Sequence, residues 1–299
     1  MLVMIRGAGD LATGIALRLH RAGFQIVMTE IEEPLSIRRT VCFSESVRNG
    51  EMTVEGVKAV LVHNRREVGA NLAAGNIPVI VDPKAERRKG LLPDVFVDAA
   101  LAKKNLGTDL SFAPIVIAVG PGFTAGVDCH AVIESMRGHT LGRVITEGTT
   151  IPNTGTPGDI GGYTIERLLR TPCAGKFKAV RKIGDIVDAG EVVAEVDGMP
   201  VKSQIKGVLR GLLADDTSVP EGLKCGDVDP RCKPENCITA SDKALSIGGG
   251  VLEAIMMFAG NPYENKIFPT KTSTNRSEET QGDFDSRSGW EDLSDETFA

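Results

Sequence analysis

Aromatic residues are scarce in this 299-residue chain, with one Trp, two Tyr and ten Phe making up 4% of it. Base-stacking platforms need such rings, so the composition argues against a single-stranded nucleic-acid binder. Basic residues are also outnumbered, 34 Lys and Arg against 40 Asp and Glu, for a formal charge of −6. That balance leaves no general basic surface for nucleic acid or an anionic membrane. No apolar run approaches the ~18 residues of a membrane span, and the opening MLVMIRGAGD breaks at Gly7 before a signal-peptide core can form. A cytoplasmic location is expected, with cysteines 42, 129, 173, 225, 232 and 237 as reduced thiols.

Glycine, by contrast, is plentiful at 34 residues, and the 41% hydrophobic and 25% charged fractions are those of a globular protein. The length suggests two domains. Charge is unevenly placed: three basic and eight acidic residues in 271–299 carry a net −5, leaving residues 1–270 near neutral. That Ser/Thr-rich stretch is expected to be a disordered acidic tail.

Val- and Ile-rich runs at 2–6, 24–29, 57–62, 77–81, 94–97 and 115–119 show little polar alternation, as parallel strands covered on both faces do. Between them lie a helical pattern over 11–22, with Leu11, Ile15 and Leu19 on one face, and a polar one over 65–74. The fold class expected is α/β, a Rossmann-like mostly parallel sheet. A small all-β domain should follow, because Val187-x-x-Gly190 is echoed by Val219-x-x-Gly222 and Asp197-Gly198 is a strong hairpin turn. The repeat resembles the halves of a barrel-sandwich hybrid of biotinyl/lipoyl type. The hairpin apex lacks the attachment lysine of such carriers, since Lys202 lies past the turn. The expected boundaries are 1–171, 172–232, a helix over 233–262 that starts at a Ser241 or Asp242 cap and returns to the first domain, and the tail 263–299. The triple glycine 248–250 in that helix requires close backbone packing to offset ~1 kcal/mol per residue.

Gly7-Ala8-Gly9-Asp10-Leu11-Ala12 fits G-x-G-x-x-A between a strand and a helix. Gly7 would permit the tight turn, Gly9 the approach of a pyrophosphate and Ala12 close helix packing, with Thr13 in the first helical turn. Glu30, ending the second strand, is placed to accept from ribose hydroxyls. A loop that keeps its glycines for packing alone reads the same way, and Asp10 would repel a phosphate unless it caps the helix. Glu30 favours NAD over NADP, whereas Arg38 and Arg39 would reverse that preference if they fold back.

Gly120, Gly122 and Gly126 follow the strand 115–119 and offer further backbone N–H groups to an anion. Asp128 and His130 alternate along an extended stretch, so they are either an acid–base pair or a structural hydrogen bond. His139 and Arg143 are candidate anion contacts. The loop PNTGTPGD presents Asn153, Thr154 and Gly155 to a phosphate or a polar heterocycle, or is a multiple turn with Asp159 capping a helix over 161–169. Cys225, Cys232 and Cys237 lack zinc-site spacing, so no metal site is expected; Cys237 is the best candidate for a reactive thiol.

Five blocks, MIRGAGDLATGIALRLHRAGF, EPLSIRRTVCFSESV, VGPGFTAGVDCHAVIESMRGHTLGRVI, PNTGTPG and SDKALSIGGGVLEAI, closely resemble the YqeB family of selenium-dependent molybdenum hydroxylase system proteins, across nearly all of residues 1–260. The family is distantly similar to the XdhC maturation proteins. The resemblance implies a cytoplasmic accessory protein whose partner is a molybdenum hydroxylase and whose ligand is a molybdopterin-type cofactor, held by its phosphates on the Gly-rich loops. Two rival expectations are an NAD-dependent oxidoreductase using His130 and a scaffold that docks the hydroxylase without binding a small molecule.

Overall fold

The computed structural model describes residues 1–260. Its largest element is a nine-stranded sheet built from β1 (Leu2–Arg6), β2 (Gln25–Glu30), β3 (Glu51–Val54), β4 (Val57–Leu61), β5 (Ile77–Val81), β6 (Val95–Asp98), β7 (Ile115–Val119), β8 (Ala131–Ile133) and β9 (Val144–Ile145). The order is β3-β4-β5-β2-β1-β6-β7-β8-β9. The seven inner strands run parallel, and β3 and β9 are antiparallel edges.

The six apolar runs in the sequence form six of these strands. All but β4 are buried on both faces, and successive residues serve opposite layers: Val3 and Ile5 join the cluster under α1 (Asp10–Arg21), while Met4 joins Phe96, Val116 and Val132 on the other side. Strands β3, β8 and β9 are short or polar and carry no such run. Helices α2 (Glu45–Asn49), α3 (Arg65–Ala73) and α4 (Arg88–Leu91) fill connections. Val68 of α3 packs with Val27, Val62 and Ile80.

The chain then builds two four-stranded antiparallel sheets from β10 (Leu168–Arg170), β11 (Gly175–Ala179), β12 (Ile186–Val187), β13 (Val192–Val196), β14 (Met199–Lys202), β15 (Gly207–Leu212), β16 (Ser218–Val219) and β17 (Lys224–Asp229). Their orders are β10-β17-β15-β12 and β14-β13-β11-β16, so each sheet draws strands from both halves of the segment. Asp197 (φ 46°) and Gly198 (φ 83°) make the two-residue turn joining β13 to β14; both central residues have positive φ, as this hairpin class requires. The helix expected over 161–169 does not form: a 3-10 turn at Ile165–Arg167 leads directly into β10, which pairs with β17.

Helix α5 (Asp242–Ala259) begins at Ser241, whose side chain accepts from the Ala244 N–H at 3.2 Å. It lies along α1 and buries Ile247, Val251, Ala254 and Ile255 against the large sheet. Close approach explains two of its three glycines. A Cβ on Gly248 would sit 2.9 Å from the Gly14 carbonyl oxygen, and one on Gly250 only 2.1 Å from that of Gly142, whereas Gly249 faces open space. No helix among the described residues is long and apolar enough to cross a membrane. The acidic tail inferred for 263–299 lies outside the described residues.

The adjacent glycines give opposite predictions in chemical denaturation. Gly250→Ala should destabilise by about 1–3 kcal/mol or more, because the Gly142 backbone must move. Gly249→Ala should stabilise by up to about 1 kcal/mol through helix propensity alone. Equal effects of the two would contradict the packing described.

Candidate functional site

In an open α/β sheet, ligands collect beyond the carboxyl ends of the strands, where successive connections leave to opposite sides. Here that point adjoins β1, which has β2 on one flank and β6 on the other. A cleft of about 480 Å³ opens there, within the range of small-molecule sites. One wall is made by residues that follow parallel strands: Asp10 and Leu11 after β1, Arg38 after β2, Lys103 after β6, Pro121 after β7, and Ser135 and Arg137 after β8. The facing wall comes from the antiparallel sheet, with Arg170 on β10, Arg210 on β15, and Lys224 and Asp227 on β17. The loop Asn153-Thr154-Gly155-Thr156 and the start of α5, with Ser241 and Lys243, complete it.

Eight cationic side chains line this cleft against two carboxylates, in a chain whose net charge is −6. The guanidiniums are fixed by internal partners. Arg38 is buried and donates through Nη1 to both Asp10 oxygens at 2.9 and 3.0 Å, and through Nη2 to the carbonyls of Asn236 and Thr239. Its Nε is buried without a partner. Asp227 receives Arg167 Nη1 at 2.7 Å on one oxygen and Arg210 Nε at 2.8 Å on the other. Asp229, fully buried, accepts from Arg210 and Arg231. Burial works against its ionisation, yet these bonds, led by Arg231, hold its pKa below the usual carboxylate value. At the rim, Arg137 forms a two-pronged pair with Asp242 at 2.7 and 2.9 Å, which lowers the Asp242 pKa to about 2.

The Gly-rich loop of residues 7–9 is closed by the protein itself. Ala8 N–H donates to Glu30 Oε2 at 2.9 Å and Ile31 N–H to Oε1 at 2.8 Å, so the carboxylate assigned to ribose instead caps the loop; burial raises its pKa. Ser44 N–H donates to the Ala8 carbonyl, Ser44 Oγ bonds Ser36 Oγ, and a Cβ on Gly9 would lie 3.3 Å from Ser36 Oγ. Thr13 donates to the Ala8 carbonyl and accepts from Phe43 N–H. A Cβ on Gly7 would meet the Ala99 carbonyl at 3.0 Å, and Ala12 is buried in the core. These residues shape the turn that aims Asp10 and Leu11 into the cleft.

Other sequence candidates separate from the site. Gly120 and Gly122 let the chain pass Ser135 and the Lys104 backbone, where a Cβ would come within 2.7 and 2.6 Å. Asp128 accepts from Thr124 N–H at 2.7 Å, and His130 Nδ1 accepts from Val116 N–H at 3.0 Å while its ring packs on Phe258. The two therefore serve a turn and a strand, not each other, and neither lines the cleft. Cys237 is buried, and burial pushes its thiol pKa up, the reverse of what a nucleophile needs. Arg143 and His139 lie outside the cleft. Asp10, Leu11, Asn153, Thr154 and Gly155 do converge there. The sequence reading missed Arg167, Arg210, Lys224 and Lys243. For the arginines the available signal was KCGDVD, because two carboxylates, Asp227 and Asp229, buried on one strand need cationic partners.

No family model matches the chain. It is 52% identical over 256 residues to "Uncharacterized protein YqeB" of Escherichia coli K12, covering 86% of this chain and 47% of that protein. The chain thus spans about half the length of that curated relative. Among solved structures, an aspartoacylase family protein from Mesorhizobium loti covers 76% of this chain and 84% of its own at 12% identity, with a TM-score of 0.26. The ectoine utilization protein EutE (DoeB) from Ruegeria pomeroyi covers 76% and 57% at 10% identity, with a TM-score of 0.21. Both superimpose too poorly to bear on fold or activity.

Glu30→Gln should lower stability by about 1–3 kcal/mol in urea unfolding, because one of two N–H groups loses its acceptor. Unchanged stability would return Glu30 to the pool of ligand-facing groups.

Proposed function

We propose that the chain is an accessory protein of selenium-dependent molybdenum hydroxylases that holds a molybdopterin-type cofactor by its phosphates in the cationic cleft. The observation that carries this reading is the concentration of eight cations around two carboxylates at the carboxyl edge of the large sheet. A phosphate-bearing ligand would be drawn in by that field and would relieve the repulsion among the cations that line it. The hydroxyls and turn N–H groups of the 153–156 loop add donors suited to phosphate oxygens. The wider reading is a Rossmann-like sheet joined to a barrel-sandwich hybrid, with the cleft at the seam.

The donors fit the phosphate end of such a cofactor. Among the described residues, no group of three or more His, Cys, Asp or Glu is placed to hold a metal. When bound, the cofactor would bring its own redox-active metal, while the chain's residues bind its phosphate and orient it for delivery to the hydroxylase. The oxidoreductase alternative draws no support from His130, whose Nδ1 is engaged by Val116 N–H away from the cleft.

Equilibrium titration of the full chain with a molybdopterin-type cofactor, and separately with NAD, tests this. The expected result is saturable cofactor binding that weakens as salt is raised and is competed by inorganic pyrophosphate. Saturable binding of NAD alone would overturn it.

A further inference from the structure

The cations of the cleft fall into two chemically distinct sets. The guanidiniums are committed: Arg38 to Asp10 and two carbonyls, Arg167 to Asp227 and two carbonyls, Arg210 to Asp227 and Asp229, and Arg137 to Asp242. Arg170 bonds the Gly222 carbonyl. The ammonium groups of Lys103, Lys224 and Lys243 have no hydrogen-bond or ion-pair partner among the described residues, although all three side chains line the cleft. Lys224 and Lys243 come from opposite walls, Lys224 from β17 of the antiparallel sheet and Lys243 from the first turn of α5 on the large sheet, and Lys103 stands after β6 on the large-sheet side.

We infer that Lys224 and Lys243 contact the ligand, closing from the two walls on one multiply charged anion of the pyrophosphate class, while the guanidiniums hold the walls in place. This rests on the reading of the cleft as an anion site and identifies which groups touch the anion. An ammonium on a flexible stem can follow oxygens spread over two phosphate groups, whereas a guanidinium already fixed on a carboxylate cannot turn to them.

The surroundings of the two amines agree with this division. For Lys224, crowding by the protein lowers the pKa first; the Arg167 and Arg210 charges lower it further, and Asp227 and Asp10 raise it. For Lys243, desolvation again leads; Arg137 lowers the pKa, while Asp10, Glu134 and Asp242 raise it. The Asp10 carboxylate thus acts on both amines. An anion arriving in the cleft favours the charged amines, so its binding should take up protons at pH values approaching the lowered lysine pKa values. Affinity should fall as pH rises through that range.

Calorimetric titration of the full chain with inorganic pyrophosphate, in buffers of differing ionisation enthalpy at mildly alkaline pH, tests the assignment. Lys224→Gln and Lys243→Gln should each weaken binding by about ten- to a hundredfold and reduce the proton uptake. Lys178→Gln, on the exposed side of β11, should leave both unchanged. Retained thermal unfolding midpoints establish that the variants are folded, and Lys→Arg at each site supplies a second variant that preserves charge. Wild-type binding with no loss in either Gln variant overturns the lysine assignment and leaves the cleft as an anion site. No pyrophosphate binding by the wild type overturns the cleft reading, and the lysine assignment with it.

Discussion

The cationic cleft depends on two carboxylates: Asp10, which holds Arg38, and Asp227, which holds two guanidiniums, those of Arg167 and Arg210, that would otherwise repel one another. Asp10, at the start of α1, holds Arg38, and Arg38 in turn reaches the carbonyls of Asn236 and Thr239 ahead of α5. Asp227 on β17 holds Arg167, from the turn before β10, and Arg210 on β15. Backbone bonds reinforce the junction: Leu212 N–H donates to the Ile37 carbonyl at 2.7 Å, and Arg39 Nε to the Leu212 carbonyl at 2.9 Å. A buried ion pair adds little net stability over an apolar pair, but losing one partner strands the other charge. The seam is therefore specified tightly and keeps its cations facing a common space.

That arrangement separates the charge of the cleft from the charge of the chain. A formal −6 for the whole sequence correctly argues against a broad basic surface, yet it says nothing about a local excess of cations folded inward. Field lines from that excess are focused by the cleft walls, so a small anion is attracted where a large polyanion is not. Selectivity of this kind suits a phosphate-bearing small molecule better than a nucleic acid.

Much of the fold was legible because it is written in local chemistry. The six apolar runs, the Asp197-Gly198 turn and the Ser241 cap each depend on residues within a few positions of one another. Strands β8 and β9 are too short to carry a pattern, and Ile165–Arg167 reads as helix in the sequence because Asp159 and its neighbouring glycines resemble a cap. The site was harder. Gly7, Gly9 and Glu30 satisfy the spacing of a pyrophosphate loop, but spacing does not show that the 36–44 segment folds over the turn and that Glu30 fills it. Arg167, Arg210 and Lys224 lie 150 or more residues from Asp10 in sequence, and only the docking of the antiparallel sheets brings them to it.

The most direct test of this account is a crystal structure of the chain grown with pyrophosphate. The account predicts the anion between Lys224 and Lys243, in front of the Arg38–Asp10 pair, with the Glu30-capped loop unchanged. Pyrophosphate seated instead on the backbone N–H groups of Gly7 to Gly9, with Glu30 displaced, would contradict it.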